Sequence, residues 1–149
     1  MSKLIYLAGS MEAYSGTDKA RTWREEAKEY FDKYSEYFEC ISPVDFYDFG
    51  SDNSQNNHEV MRFDLRKVRE SDIVLVNCND LRKSIGTCDE IFYAYMTGKP
   101  IIGFLDDNTD QNTARNLIHP WKYEQLDRLE LGEGSMYKAM DYIRNYYYI

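Results

Sequence analysis

Ser71-Asp72-Ile73-Val74-Leu75-Val76-Asn77, followed shortly by Gly86-Thr87-Cys88-Asp89-Glu90-Ile91-Phe92-Tyr93-Ala94-Tyr95, decides how this chain folds. The first stretch is a short, continuous apolar run, as a parallel strand buried on both faces requires. The second reads as an apolar helix that starts at Thr87 and carries Glu90 in its first turn. In an open α/β sheet ligands bind beyond the carboxyl ends of the strands, and the loop from Val76 to Thr87 leaves one such end. Glu90 therefore stands where a nucleophile would sit. Helix-start N–H groups and the positive end of the helix dipole favour an ionised carboxylate there, and a positioned carboxylate can attack carbon. The same residues also fit a capping box, with Thr87 as N-cap and Glu90 reaching back from N3, which would account for both without any chemistry.

Outward from this stretch, strands and helices alternate. Lys3 to Ala8 is a nearly continuous apolar run stopped by Gly9-Ser10, which predicts a first central strand. From Thr17 to Ser35 the residues Ala20, Trp23, Ala27, Tyr30, Phe31 and Tyr34 recur at helical steps between charged residues. Tyr37 to Ile41 reads as a second strand ended by Ser42-Pro43. Val44 to His58 is the longest irregular stretch, and its Phe46, Tyr47 and Phe49 are suited either to closing over a flat ligand or to tucking into the core. Glu59 to Glu70 reads as a helix that leads into the strand Ile73 to Asn77. The helix Thr87 to Thr97 stops at Gly98 and Pro100 before the strand Pro100 to Leu105. Asp106 to Arg115 reads as a polar loop, Ser135 to Tyr148 as a closing helix, with a short strand between them. The alternation predicts one α/β domain over residues 1–149: a flavodoxin-like, Rossmann-like parallel sheet flanked by helices, with right-handed crossovers.

Composition narrows the function. The chain has 149 residues, ordinary hydrophobic and charged fractions of 43% and 30%, and 14 tyrosines, which suit wet pockets and interfaces. A net charge of -8 without a Lys/Arg run argues against tracking a nucleic-acid polymer. Cys40, Cys78 and Cys88 have no metal-ligand spacing and the chain has two histidines, so no metal site is expected. An odd cysteine count, no signal peptide and no apolar stretch long enough to span a bilayer predict a cytoplasmic protein without membrane attachment.

One further residue stands out. Asp64 lies four residues from both Val60 and Val68, on the apolar stripe of its helix, where a carboxylate needs a partner, a proton or a cavity. A salt bridge to Arg62, Arg66 or a remote lysine is the purely structural solution. In a flavodoxin-like sheet the first and third strands adjoin at the switch point, so Gly9-Ser10, the segment Ser84 to Glu90 and the Pro43 loop converge on one crevice. Glycosyl transfer needs a carboxylate nucleophile at the anomeric carbon and a second group that protonates the leaving base, and Glu90 and Asp64 fit those roles. There is no Ser-His-Asp grouping and no Walker lysine loop to compete with them.

Tyr6-Leu7-Ala8-Gly9, the pair Asp64 and Asp72 eight residues apart, and Gly86-Thr87-x-x-Glu90-Ile91-x-x-Ala94 together resemble the nucleoside 2-deoxyribosyltransferases and their relatives, the deoxynucleotide N-glycosidases. The resemblance spans most of the chain. It implies a cofactor-free enzyme that acts on deoxynucleosides and free nucleobases, with Glu90 as nucleophile, Tyr6 orienting it and Asp64 assisting proton transfer. It implies substrate contacts from Gly9, Ser10, Met11, Asp45, Phe46, Tyr47, Ser84 and Gly86. It further implies a homo-oligomer with sites shared between subunits, in which Asn116 and Ile118, resembling a family Asn-Leu-Met segment, enter the neighbour's pocket. Two departures bear on substrate. Ser84 stands where transferases commonly carry aspartate and where the monophosphate hydrolases carry serine, yet Met11-Glu12 follows Gly9-Ser10 where those hydrolases hold phosphate with arginine. Tyr47 stands near the place of a base-recognising glutamine of some transferases. The expected function is deoxyribosyl transfer by double displacement. The alternatives are hydrolysis of deoxynucleoside 5′-monophosphates and a nucleotide-binding module in which Glu90 is only a helix cap.

Overall fold

The computed structural model describes residues 2–11, 18–46, 57–106 and 110–148. Strands β1 (Lys3–Ala8), β2 (Phe38–Ile41), β3 (Ile73–Asn77), β4 (Ile101–Leu105) and β5 (Arg128–Leu131) form one sheet in the order β2-β1-β3-β4-β5. Every pairing is parallel, as the alternation of strand and helix predicts. Helices α1 (Lys19–Asp32), α2 (Asn57–Glu70), α3 (Ile85–Met96), α4 (Gln111–Leu117), α5 (Pro120–Gln125) and α6 (Ser135–Tyr146) flank it. The strand order reverses between β1 and β3, which makes their carboxyl ends the switch point.

The twofold repeat of the strands sorts their side chains into two cores. Ile5, Leu7, Ile73 and Leu75 pack with Trp23, Ala27 and Phe31 of α1 and with Met140 and Ile143 of α6. Tyr6, Ala8, Val74 and Val76 face the other way, against Val68 of α2, Ile91 and Ala94 of α3, and Ile118. Each fully buried Leu, Ile or Val contributes roughly 2 kcal/mol of transfer free energy. Side-chain carboxylates fix the starts of adjacent strands. Asp72 Oδ2 accepts from the Leu4 N–H at 2.8 Å, and Asp127 Oδ2 from the Ile101 N–H at 2.8 Å. Asp72, the second aspartate of the motif, thus registers β1 against β3. Gly98, at φ +73°, supplies the left-handed turn after α3.

Three expectations are corrected. The helix that carries Glu90 starts at Ile85 with Ser84 as its N-cap, not at Thr87. The Ser84 and Thr87 hydroxyls bond each other at 2.6 Å and the Ser84 carbonyl accepts the Cys88 N–H, so Thr87 lies inside the first turn. Glu90 consequently sits in the second turn, and the capping box does not form. The stretch Asp106 to Arg115 is not all loop, because α4 begins at Gln111 where the Asp110 carboxylate caps the Thr113 N–H and Ala114 buries its methyl. A further short helix, α5, starts at Pro120 behind a His119 cap. Tyr47, Phe49 and most of the long stretch between β2 and α2 lie outside the described residues. Among the described residues no helix is long and apolar enough to cross a membrane.

Candidate active site

A cavity of about 440 Å³ opens at the switch point on the α2/α3 face of the sheet. Gly9 and Met11 enter it from the end of β1, Val60, Asp64 and Leu65 from α2, and Ser84, Gly86 and Glu90 from the start of α3. The sequence places these groups together for simple reasons. Asp64 shares its stripe with Val60 and Val68, and Glu90 precedes Ile91 and Ala94, which anchor α3 to the sheet. Tyr6, fully buried on β1, donates its phenolic O–H to Glu90 Oε2.

Burial dominates the electrostatics. Glu90 is 7% exposed, and desolvation pushes its carboxyl from the ordinary 4.5 up to about 8. The Tyr6 hydrogen bond and the Arg24 charge pull it down, while the Asp64 charge pushes it up. This corrects the expectation of a carboxylate ionised by the helix start: a second-turn position weakens the dipole, and desolvation outweighs it. Burial thus favours the protonated form of Glu90. Tyr6 is raised well above 10, first by burial and then by the charges of Glu90 and Asp64.

Asp64 is 8% exposed and lines the cavity. The arginines that flank it on α2 turn elsewhere, Arg62 to His58 and Arg66 to Glu70. Ser10, 1% exposed, lies behind the wall next to Gly9. Gly9 is required there: a Cβ would stand 2.8 Å from Trp23 Cζ2 and 3.2 Å from Asn77 Cβ. The structure does not bring Asp45 and Phe46 into the cavity wall. Asp45 is held toward α1 by Lys28 at 2.6 Å and Arg21 at 3.6 Å, and the half-exposed Phe46 ring packs edge-on against Phe63 of α2. Tyr47 lies outside the described residues. Asn116 is exposed and its carbonyl accepts from Arg82 Nε. Ile118 is 0% exposed and packed in its own chain's core, so it presents no surface to a neighbouring subunit.

Sequence reasoning missed the apolar side of the pocket, Met61, Leu65 and Ile85, and it missed Arg24. The signal for Arg24 was present, since it falls four residues after Ala20 and three before Ala27, on the apolar stripe of α1. A larger cleft, about 560 Å³, lies between α1 and α6 and is lined by Trp23, Asn77, Asn79, Phe104 and Asp106. Neither Asp64 nor Glu90 reaches it, and the polar groups at its sheet end are bonded: Asn79 to Asn77 and Asp106, and Asp106 to Ser135. Volume alone does not mark the site. The buried carboxylates, with one raised titration, do.

Among the described residues no group of three or more His, Cys, Asp or Glu side chains is placed to hold a metal ion. The wall supplies carboxylates, hydroxyls, the N–H groups that open α3, and apolar surface. Such a set can hold a sugar and a flat ring, attack a carbon and move a proton.

Comparison with solved structures finds the same fold in proteins of low sequence identity. A conserved protein from Enterococcus faecalis superposes with a TM-score of 0.74 at 14% identity, covering 95% of this chain and 99% of that one. The 2-deoxyribosyltransferase from Bacillus psychrosaccharolyticus gives 0.63 at 17% identity, over 96% and 91% of the two chains. A CMP N-glycosidase from Clostridium botulinum gives 0.56 at 17% identity, over 97% and 99%. A comparison with curated protein sequences finds no match. The sequence profile of nucleoside 2-deoxyribosyltransferases matches residues 5–139, nearly the whole chain, and this protein belongs to that family.

Proposed function

We propose that this protein transfers 2-deoxyribose between nucleobases by double displacement. The observation that carries this reading is that Asp64 and Glu90 line one cavity while Tyr6, buried behind its wall, donates a hydrogen bond to Glu90. In the reactive form Glu90 is the carboxylate and Asp64 is the proton donor. A Glu90 oxygen then attacks C1′ of a 2′-deoxynucleoside. The C1′–N bond breaks, its electron pair leaves with the base, and Asp64 supplies the proton. A second base attacks the glycosyl ester at C1′, returns a proton to Asp64 and releases Glu90 as carboxylate. Two inversions give net retention. Tyr6 holds one Glu90 oxygen, which fixes the direction of attack.

One observation favours a second reading, hydrolysis of a deoxynucleoside 5′-monophosphate. Ser84 and Gly86 open α3 at the cavity wall, where unpaired helix-start N–H groups suit a 5′-hydroxyl or a phosphate. Against a phosphate stand Asp64, Asp89 and Glu90 in the same wall, which holds no lysine or arginine among the described residues. A homo-oligomer that completes each site is part of the proposal, and exposed Asn116 is free to face a neighbour's cavity.

The test is to incubate the protein with deoxyinosine, with and without adenine or cytosine, and separately with deoxynucleoside monophosphates, and to separate the products. A new nucleoside formed only with the added base supports transfer. Base released only from monophosphates would replace transfer by hydrolysis. Substrate binding without turnover, unchanged in Glu90→Gln, would leave a binding module.

A further inference from the structure

Among the described residues Arg24 is the largest fully buried side chain, and it belongs to α1, whose Trp23, Ala27 and Phe31 pack on the face of the sheet opposite the cavity. Burying a guanidinium is costly unless its donors are satisfied, and among the described residues three backbone carbonyls accept from it. Nε donates to the Leu7 carbonyl at 3.2 Å, one terminal nitrogen to Gly9 at 2.9 Å, and the other to Ala20 in α1 at 2.8 Å. The reason is in the sheet register. Pairing of β1 with β2 ends at Tyr6 and Ile41, whereas pairing with β3 runs on to Ala8 and Val76. The end of β1 has therefore outrun its β2 neighbour, and carbonyls two residues apart point to the same edge. The guanidinium fork takes the place of the missing strand. It also lies 4.7 Å from the centre of the Trp23 ring, which packs against Gly9.

We propose that Arg24 is a positioning residue for the glycosyl-transfer site: its fork holds the segment from Leu7 to Gly9, which follows Tyr6 and enters the cavity wall at Gly9. The charged and hydrogen-bonding groups that act on Glu90 among the described residues are Tyr6 on β1, Asp64 on α2, Asp89 on its own helix and, across β1, Arg24 on α1. Arg24 is the one cation in that set. Its field lowers Glu90 and Tyr6 alike, opposing the two aspartates. The chemical part of this inference rests on the transfer reading above; the electrostatic part is measurable without turnover.

Two variants separate fork from charge. Arg24→Gln keeps short donors and removes the charge; Arg24→Lys keeps the charge and removes the fork. The Glu90 carboxyl is followed by ¹³C NMR across pH, assigned by its loss in Glu90→Gln, alongside thermal melting and turnover of deoxyinosine with adenine. The Glu90 midpoint should rise in Arg24→Gln and stay in place in Arg24→Lys. Arg24→Lys should lose kcat by roughly a hundredfold with KM little changed, as displacement of the β1 end predicts. An unmoved midpoint in folded Arg24→Gln would overturn the electrostatic role. Should Arg24→Gln not fold, an Arg24→Lys protein with undiminished kcat would overturn the positioning role. An inactive wild type with the midpoint shift present would count against the transfer reading alone.

Discussion

Tyr6 on β1 and Glu90 on α3 are 84 residues apart in sequence and joined by a buried hydrogen bond behind the cavity wall that Glu90 helps to form. Neither side chain is conventional for its place. A tyrosine interrupts the aliphatic run of Leu4, Ile5, Leu7 and Ala8 in β1, and a glutamate occupies the buried face of an apolar helix. Each would be costly alone, because a buried hydroxyl or carboxyl without a partner forfeits its hydration. Together they satisfy one another and fix one carboxylate oxygen toward β1, leaving the other for chemistry.

Glu90→Gln should abolish transfer, by at least about a thousandfold, because an amide cannot form the glycosyl ester. It should also alter stability with a defined pH dependence. The folded-state titration of Glu90 is raised from 4.5 to about 8, so the folded state holds its proton more tightly than the unfolded chain. The stability this contributes is fully present below pH 4.5 and is lost as pH rises through about 8. The variant carries no such loss. Its stability relative to wild type should increase by a few kcal/mol across that window, read by denaturant unfolding at several pH values. A difference independent of pH would show that Glu90 is not buried as described.

Tyr6→Phe and Asp64→Asn should move the acid limb of the kcat/KM profile in opposite directions. The Tyr6 hydrogen bond lowers Glu90, so its removal raises the pH at which the nucleophile ionises. The Asp64 charge raises Glu90, so neutralising it lowers that pH, although the variant also loses its proton donor. Both should be slower than wild type. Limbs shifted the same way in both variants would contradict the opposed influences assigned here.

The sheet, its order and the pair Glu90 and Asp64 were legible in sequence because each rests on a local pattern: apolar runs of strand length, helical stripes, and a carboxyl where the stripe demands an apolar group. The start of α3 was misplaced by two residues because Ser84 and Thr87 are both good caps, and only their mutual hydroxyl bond decides between them. The ionisation of Glu90 was misjudged for a related reason. Sequence shows the nearby helix end but not the depth of burial, and burial is the larger influence. Arg24 sat on the stripe of α1 unread, because its partners are carbonyls at a strand end that only the register reveals.

Ile118→Ala tests a role that resemblance suggests and packing contradicts. The side chain is 0% exposed, in a core with Ile91, Ala94 and Ala114. Truncation should destabilise the chain by about 2–5 kcal/mol, as buried large-to-small changes do. At a temperature where the variant remains folded, its kcat should stay within a few-fold of wild type. Unchanged melting with lost activity would mean that Ile118 leaves this core to act in a neighbouring site.

Gly9→Ala adds one carbon where two elements meet. The new Cβ would stand 2.8 Å from the Trp23 ring and 3.2 Å from Asn77 Cβ, and a Trp23 8% exposed has little room to retreat. The strain must be relieved by moving either α1 or the end of β1. Moving α1 costs packing against Phe104 and the rest of that core, where the Trp23 and Phe104 rings meet edge to face at 5.6 Å. Moving β1 shifts Gly9 into the cavity it lines. Overpacking of this kind destabilises by roughly 1–3 kcal/mol, so melting should fall in either case. Displacement of β1 should raise KM for the nucleoside while Trp23 fluorescence stays near wild type; displacement of α1 should alter the fluorescence and leave KM alone. A variant with wild-type melting would show that Gly9 and Trp23 do not touch.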